Sequence, residues 1–280
     1  MTCRPESETS MPSSSRLQIR PTALITGASS GIGEALARCF AGAGHNLVLV
    51  ARSGDKLRAL ASQISGSHGV EVRVEPADLA VGGAEVRLSA SLRRRRCAVD
   101  VLVNCAGVLE QGAFASMKPA RHQQIIDLNI SGLTAMIASF LPQMLQRGAG
   151  RILNVASIAA FQPIPTLATY AASKAYVLSL SESLAQEIKG SGVTVTALCP
   201  GITATPMLDA ATLANGQLSQ IPRFLIAEVD QVARQGFDAC MKGDVVCVPG
   251  VFNRALAIAS RRTPKWLVRS VGGLIASRAL

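Results

Sequence analysis

Aromatic residues make up only 4% of the 280-residue chain, with one Trp and two Tyr, and they are not interleaved with the basic residues. Despite a formal net charge of +10, that sparseness argues against a nucleic-acid surface, where aromatic rings stack on bases between the cations. His45, His68 and His122 stand without ligand spacing, and none of the seven cysteines forms a CxxC pair. Neither a catalytic metal nor a disulfide framework is therefore expected, and the odd, scattered thiols suit a reducing, cytoplasmic setting. No segment repeats at a period of about 20 to 50 residues, which argues against a solenoid. Acidic residues are missing after Asp244, where Arg254, Arg261, Arg262, Lys265, Arg269 and Arg278 continue to the end.

What is present is apolar substance, 49% of the residues, enough for one large α/β core. Residues 1–20 are rich in Ser, Thr and Pro and carry Glu6 and Glu8, which predicts a disordered tail rather than a leader, with Met11 as an alternative start. From Pro21 a short buried-type strand, Thr22 to Thr26, runs into Gly27-Ala28-Ser29-Ser30-Gly31-Ile32-Gly33. Helical spacing then holds until Gly44, and Leu47 to Val50 reads as a second strand. Such a strand, glycine turn, helix and strand unit offers backbone N–H groups and a helix N-terminus to a pyrophosphate. Glycines placed there for packing are the plainer alternative. At the end of the second strand stand Ala51 and Arg52, where an acid would accept from a ribose 2′-hydroxyl. A guanidinium in that place suits a 2′-phosphate and favours NADP(H) over NAD(H).

The alternation continues with a helix near Asp55 to Ser65, a strand Val70 to Val74, a turn at Asp78-Leu79 and a helix from about Ala84 to Arg94. The run Arg93 to Arg96 reads as a solvated helix end. A strand Val99 to Val103 leads into Asn104-Cys105-Ala106-Gly107, and a long helix over about 120–147 holds Asn129 among Ile125, Ile126, Leu128 and Ile130. A polar amide in such company needs bonding partners. Arg151 to Val155 is a fifth strand, followed by Ser157 and by a helix to about Lys189 that stacks Tyr170 and Lys174, four residues apart, on one face. A nearby ammonium is expected to draw the phenol's pKa down toward neutrality.

Val193 to Leu198 is a sixth strand ending in Pro200-Gly201. Residues 202–226, with Met207, Leu208, Leu213, Leu218, Ile221, Phe224, Leu225 and Ile226, read as a substrate lid whose apolar side chains either line a hydrophobic site or pack the lid down. A helix near Glu228 to Met241 and a strand Val245 to Val248 close the sheet. The expected architecture is one α/β domain over 21–250, a doubly wound parallel sheet of about seven strands with helices on both faces. The basic, apolar extension 251–280 suits either peripheral contact with an anionic membrane or packing on the core or a subunit interface.

In this order, Thr26 to Gly33, Asp78-Leu79, Asn104 to Gly107, Asn129, Ser157, Tyr170-Ala171-Ala172-Ser173-Lys174 and Pro200-Gly201 resemble the motifs of the short-chain dehydrogenase/reductase superfamily. The resemblance covers about residues 21–250 and implies a Rossmann fold that interconverts a carbonyl and an alcohol with NADP(H). It implies Tyr170 as general acid and base, Lys174 as ligand of the nicotinamide ribose that lowers the tyrosine's pKa, Ser157 as the group polarising the carbonyl, and Asn129 as anchor of a proton-relaying water. Cofactor contacts are implied for Gly27, Ser29, Ser30, Gly31, Ile32 and Gly33 in the glycine turn. They are implied also for Arg52, for Asp78 and Leu79 near the adenine, for Asn104, Ala106 and Gly107 on the adenosine side, and for Pro200, Gly201, Thr203 and Thr205 toward the nicotinamide.

Two positions depart from the family pattern: Cys105 replaces a common second Asn and brings a thiol expected to be open to alkylation, and Thr203 replaces an apolar residue. Tyr176 has no lysine four residues on and reads as helix packing. The implied partners are a small hydrophobic carbonyl or alcohol and further copies of the chain in a homodimer or homotetramer, with no nucleic acid. The alternative is a non-catalytic dinucleotide-binding sensor or scaffold on the same fold.

Overall fold

A computed structural model describes residues 20–208, 226–251, 253–255 and 257. Most of the expected N-terminal tail, the lid residues Leu213, Leu218, Ile221, Phe224 and Leu225, and nearly all of the extension 251–280 lie outside the described residues.

Seven strands form one parallel sheet in the order β3-β2-β1-β4-β5-β6-β7. They are β1 Thr22–Thr26, β2 Asn46–Ala51, β3 Val72–Pro76, β4 Val101–Asn104, β5 Gly150–Val155, β6 Val193–Leu198 and β7 Val246–Cys247. The helices are α1 Gly31–Gly42, α2 Gly54–His68, α3 Ala84–Arg94, α4 Pro119–Ile126, α5 Leu133–Arg147, α6 Ala168–Glu187 and α7 Val229–Lys242.

Successive strand residues feed opposite layers, because side chains alternate across a strand. Leu24, Val48, Leu102 and Ile152 meet Leu88 and Leu92 of α3, Met136 and Phe140 of α5 and Val177 of α6. Ile25, Leu49, Val103 and Leu153 meet Leu36 and Phe40 of α1, Leu57 and Ile64 of α2 and Val232 of α7. Two buried faces explain why the strands read as continuous apolar runs. The chain steps outward from β1 to β3 and then returns to place β4 on the other side of β1. That reversal opens a crevice beyond the carboxyl ends of β1 and β4.

Three expectations shift. β3 lies two residues later than Val70 to Val74, because its ladder follows β2 out to the Ala51–Pro76 pair; an edge strand tolerates the proline. β4 likewise starts at Val101 and takes in Asn104. The long helix over 120–147 is also not continuous α-helix: α4 and α5 are joined by a π-helical stretch, Asp127–Gly132, which contains Asn129. Insertions of this kind gather at functional sites.

Candidate active site

Thr26, the last residue of β1, builds the floor of the crevice. Its hydroxyl oxygen accepts the N–H groups of Cys105 and Ala106, both at 3.0 Å, and so locks the ends of β1 and β4 together. Gly27 follows with φ +66°, and a Cβ there would lie 2.8 Å from the Ala106 nitrogen. Gly33 packs its Cα side against the Gly27 carbonyl, leaving no room for a side chain. Helix α1 starts at Gly31, behind an extended Ser30 that makes no side-chain cap. Its first N–H groups are thus free for an anion, and the glycine turn leaves a backbone-walled cradle in front of them.

The crevice is a cavity of about 580 Å³. Gly27, Ser29, Ser30, Gly31, Ile32 and Gly33 form one stretch of its wall, with Arg52, Asp78 and Leu79 beside them. Ala106, Gly107, Tyr170, Lys174, Pro200, Gly201, Thr203 and Thr205 form another. The exposed Arg52 has no ion pair among the described residues. Residues capable of holding a dinucleotide therefore line one continuous surface, from a cationic side chain through a phosphate cradle to Tyr170 and Lys174.

Three of the expected site residues stand behind the wall rather than on it. Asn104 is buried and donates to Asn154 Oδ1 at 2.9 Å, and Asn154 in turn donates to the Ser181 hydroxyl at 2.9 Å. This brace joins β4, β5 and α6. Asn129 donates to the Val108 carbonyl and to the Ser173 hydroxyl, while its Oδ1 accepts the Val108 N–H. Its amide is thus satisfied within the protein. Ser157 accepts the Ala159 N–H at 3.1 Å and hydrogen-bonds the Tyr170 phenol.

The electrostatics correct the expected relation between Tyr170 and Lys174. Burial pushes the Tyr170 pKa up, and the hydrogen bond from Ser157 is the influence that draws it back. The lysine lies 5.8 Å from the ring centroid and turns its ammonium to the Val155 carbonyl at 2.9 Å. Desolvation shifts its own pKa from 10.5 to about 8. Removal from water outweighs the attraction expected from helical spacing.

Cys105 also departs from expectation. Burial drives its pKa up to about 12, so the group on the cavity wall is a thiol rather than a reactive thiolate. Thr203 is buried and donates its hydroxyl to the Gly201 carbonyl at 3.0 Å. Tyr176 bonds Thr134 at 2.9 Å away from the cavity.

Sequence reasoning passed over Leu109, Gln111, Ile158, Ile164 and Leu167, which also line the wall. All five follow the carboxyl ends of β4 and β5, so the rule that open α/β sheets bind ligands there would have marked these loops. Asn154, polar within an apolar strand, carried the same signal as Asn129 and was missed.

The sequence pattern of the short chain dehydrogenase family matches residues 21–215. Oxidoreductase UcpA of Salmonella typhimurium is 39% identical over 211 residues, covering 74% of this chain and 78% of that protein. A short-chain dehydrogenase from Sphingobium yanoikuyae, solved in complex with NADPH, superposes with a TM-score of 0.77 at 34% identity, over 86% of this chain and 93% of that one. The bulky-bulky ketone specific alcohol dehydrogenase from Comamonas testosteroni does so with a TM-score of 0.72 at 29% identity, over 88% and 95%. Since the family pattern runs from β1 through β6, where the cradle and the Tyr170–Lys174 pair are both built, the chain belongs to the short chain dehydrogenases, NAD(P)-dependent oxidoreductases of CH–OH groups.

Proposed function

We propose that the protein is an NADP(H)-dependent carbonyl reductase, reversible as an alcohol dehydrogenase, acting on hydrophobic substrates with Tyr170 as general acid and base. The observation that carries this reading is that Tyr170 and Lys174 line the same cavity as the glycine cradle and Arg52, with Ser157 behind the wall against the Tyr170 phenol. NADP(H), when bound, supplies or takes up the hydride. The protein's own residues handle the proton and the charge.

In reduction the Tyr170 phenol gives its proton to the carbonyl oxygen as the carbon is reduced. Burial keeps that phenol protonated at neutral pH, so it enters the reaction as an acid. Its hydrogen bond with Ser157 steadies the phenolate that remains. Lys174, still cationic below about pH 8, favours the same charge across the short gap to the ring. Asn129 holds Val108 and Ser173 beside this group and thereby fixes the wall on which substrate rests.

Two observations support the finer parts. Arg52 stands without an ion-pair partner among the described residues, as expected of a 2′-phosphate ligand, and a structural relative was solved with NADPH. Leu109, Ile158, Ile164, Leu167, Met207 and Leu208 give the substrate end an apolar lining, and another relative is specific for bulky ketones. Assembly into a homodimer or homotetramer is part of the same reading, with Leu145 of α5 and Tyr176 of α6 exposed on the outer surface.

An NADPH-oxidation screen over hydrophobic ketones, quinones, steroids and ketoacyl thioesters tests the proposal. Turnover of at least one class that disappears in Tyr170→Phe is expected. Undiminished turnover in the variant would refute the assigned role of Tyr170.

A further inference from the structure

We propose that Gln111 determines specificity for a substrate carrying a hydroxyl group in addition to its reacting carbonyl, an inference that rests on the carbonyl-reductase reading above. Gln111 lies on the cavity wall in the loop after β4, close in sequence to Val108 and Leu109, which line the same cavity. Its Oε1 is buried and has no hydrogen-bond partner among the described residues. A buried acceptor with no partner is costly to maintain, and native proteins rarely keep one without cause.

The backbone around this side chain is pinned on both sides, so the orphaned oxygen does not reflect a slack loop. Glu110 forms an ion pair with Arg121 of α4 at 2.7 Å. The Gly112 N–H donates to the Thr166 carbonyl at 2.9 Å, tying the loop to the segment before α6. Thr166 itself is held at φ +65°, a conformation that a β-branched residue adopts only under constraint. Further along, His122 of α4 bonds the Phe114 carbonyl at 3.2 Å and the hydroxyl of Thr169, the neighbour of Tyr170, at 2.7 Å. One set of contacts thus fixes both Gln111 and the start of the helix bearing Tyr170, and the spacing between amide and phenol becomes a built-in length.

The chemistry of the anchor narrows what it takes. A carboxamide is neutral and offers both an acceptor and a donor. A hydroxyl complements it in either orientation of the amide, giving its proton to the oxygen or accepting one from the nitrogen. Around it the lining is apolar, through Leu109, Ile158, Ile164 and Leu167, and the cationic Lys174 is engaged by the Val155 carbonyl. Such a wall does not recompense a carboxylate or an ammonium for lost water. The fitting substrate class is an apolar hydroxy ketone, or the corresponding diol in the reverse direction.

Matched pairs of ketones test this, with kcat/KM measured under saturating NADPH. Deoxybenzoin against benzoin, cyclohexanone against 4-hydroxycyclohexanone, and 4-cyclohexylcyclohexanone against 4-(4-hydroxycyclohexyl)cyclohexanone place the extra hydroxyl at increasing distance from the carbonyl. The wild-type protein is expected to prefer the hydroxylated member of at least one pair by about tenfold or more, since a site built to bond a hydroxyl rejects the analogue without it. In Gln111→Leu, or in Gln111→Met if the leucine variant does not fold, the preference within that pair should fall to near unity. Wild-type ratios near unity in all three pairs would overturn the inference while leaving the carbonyl-reductase reading intact. So would a preference that survives both substitutions. Turnover of none of the six ketones, together with a negative result in the wider NADPH-oxidation screen, would refute that reading itself, and this inference with it.

Discussion

Asn129 and Val108 bond one another through both polar groups of the valine backbone: the Asn129 amide donates to the Val108 carbonyl at 3.0 Å, and the Val108 N–H donates to Asn129 Oδ1 at 2.9 Å. The pair fastens the π-helical stretch between α4 and α5 to the loop after β4. Gly107, next to Val108, lies so close to Asn129 that a Cβ there would press on Oδ1 at 3.2 Å, with Lys174 Nζ in ordinary contact at 3.5 Å. Asn129→Leu removes both bonds and strands the Val108 backbone. A loss of about 2 kcal/mol or more in urea unfolding is expected, together with weaker NADPH binding. Unchanged stability would show that the loop has other support.

Tyr170→Phe keeps the ring and deletes the hydroxyl proposed as the general acid. Loss of a positioned proton donor is expected to lower kcat by about 10²- to 10⁴-fold. NADPH affinity, followed by nucleotide fluorescence, should stay within about threefold of wild type, because the cradle of α1 is untouched.

Lys174→Met separates stability from activity. The wild-type lysine is held at a pKa of about 8 against an ordinary 10.5. Below pH 8 the unliganded protein must bury the ammonium. Between pH 8 and 10.5 the folded state releases a proton that the unfolded state retains, so this group's contribution to stability rises with pH. The variant should therefore melt above wild type at pH 7, and the gap should close as the pH climbs from about 8 toward 10.5. Catalytic activity is expected to fall about 100-fold or more. A constant difference in Tm across that range would contradict the assigned burial of charge.

Arg52→Asp exchanges the proposed 2′-phosphate ligand for a carboxylate able to accept from a ribose hydroxyl. A drop of about 10- to 100-fold in kcat/KM for NADPH is expected, with a gain for NADH. If the ratio between the two nucleotides does not move, the end of β2 does not choose the cofactor.

Cys105 lies on the cavity wall but with its thiol pushed up to about 12. Brief treatment with iodoacetamide at pH 7 should leave activity nearly intact. Rapid inactivation that NADPH prevents and Cys105→Ala abolishes would show that the thiol is more acidic than its burial allows.

The central sheet could be read in advance because its strands answer to one local rule, continuous apolar character between glycine turns, as in Leu47 to Val50. The wall motifs were equally legible, since backbone cradles and helix faces impose fixed spacings on Gly27, Gly31 and Gly33 and on Tyr170 and Lys174. Long-range contacts are what the chain order concealed. The π-helical insertion leaves Ile125, Asn129, Leu133 and Ile137 four residues apart, helical in appearance, while a contact far along the chain accompanies it: Gly132 packs against the Leu79 carbonyl, 53 positions back. The balance of charge around Tyr170 was hidden for a similar reason. Spacing places the ammonium near the phenol, but only the folded packing reveals that burial outweighs that proximity and that Val155 claims the lysine's proton.

Helix α1 opens at Gly31 with no side chain closing its first turn. The donors there are left to whatever anion enters the cradle, so the helix is finished by a molecule that the cell must provide. Binding only to the folded chain, a ligand at a hundredfold excess over its Kd adds about 2.7 kcal/mol to stability. The lifetime of the polypeptide against proteolysis thereby becomes tied to nucleotide supply: when the pool runs low, the protein itself is expected to grow scarce, apart from any slowing of its turnover rate.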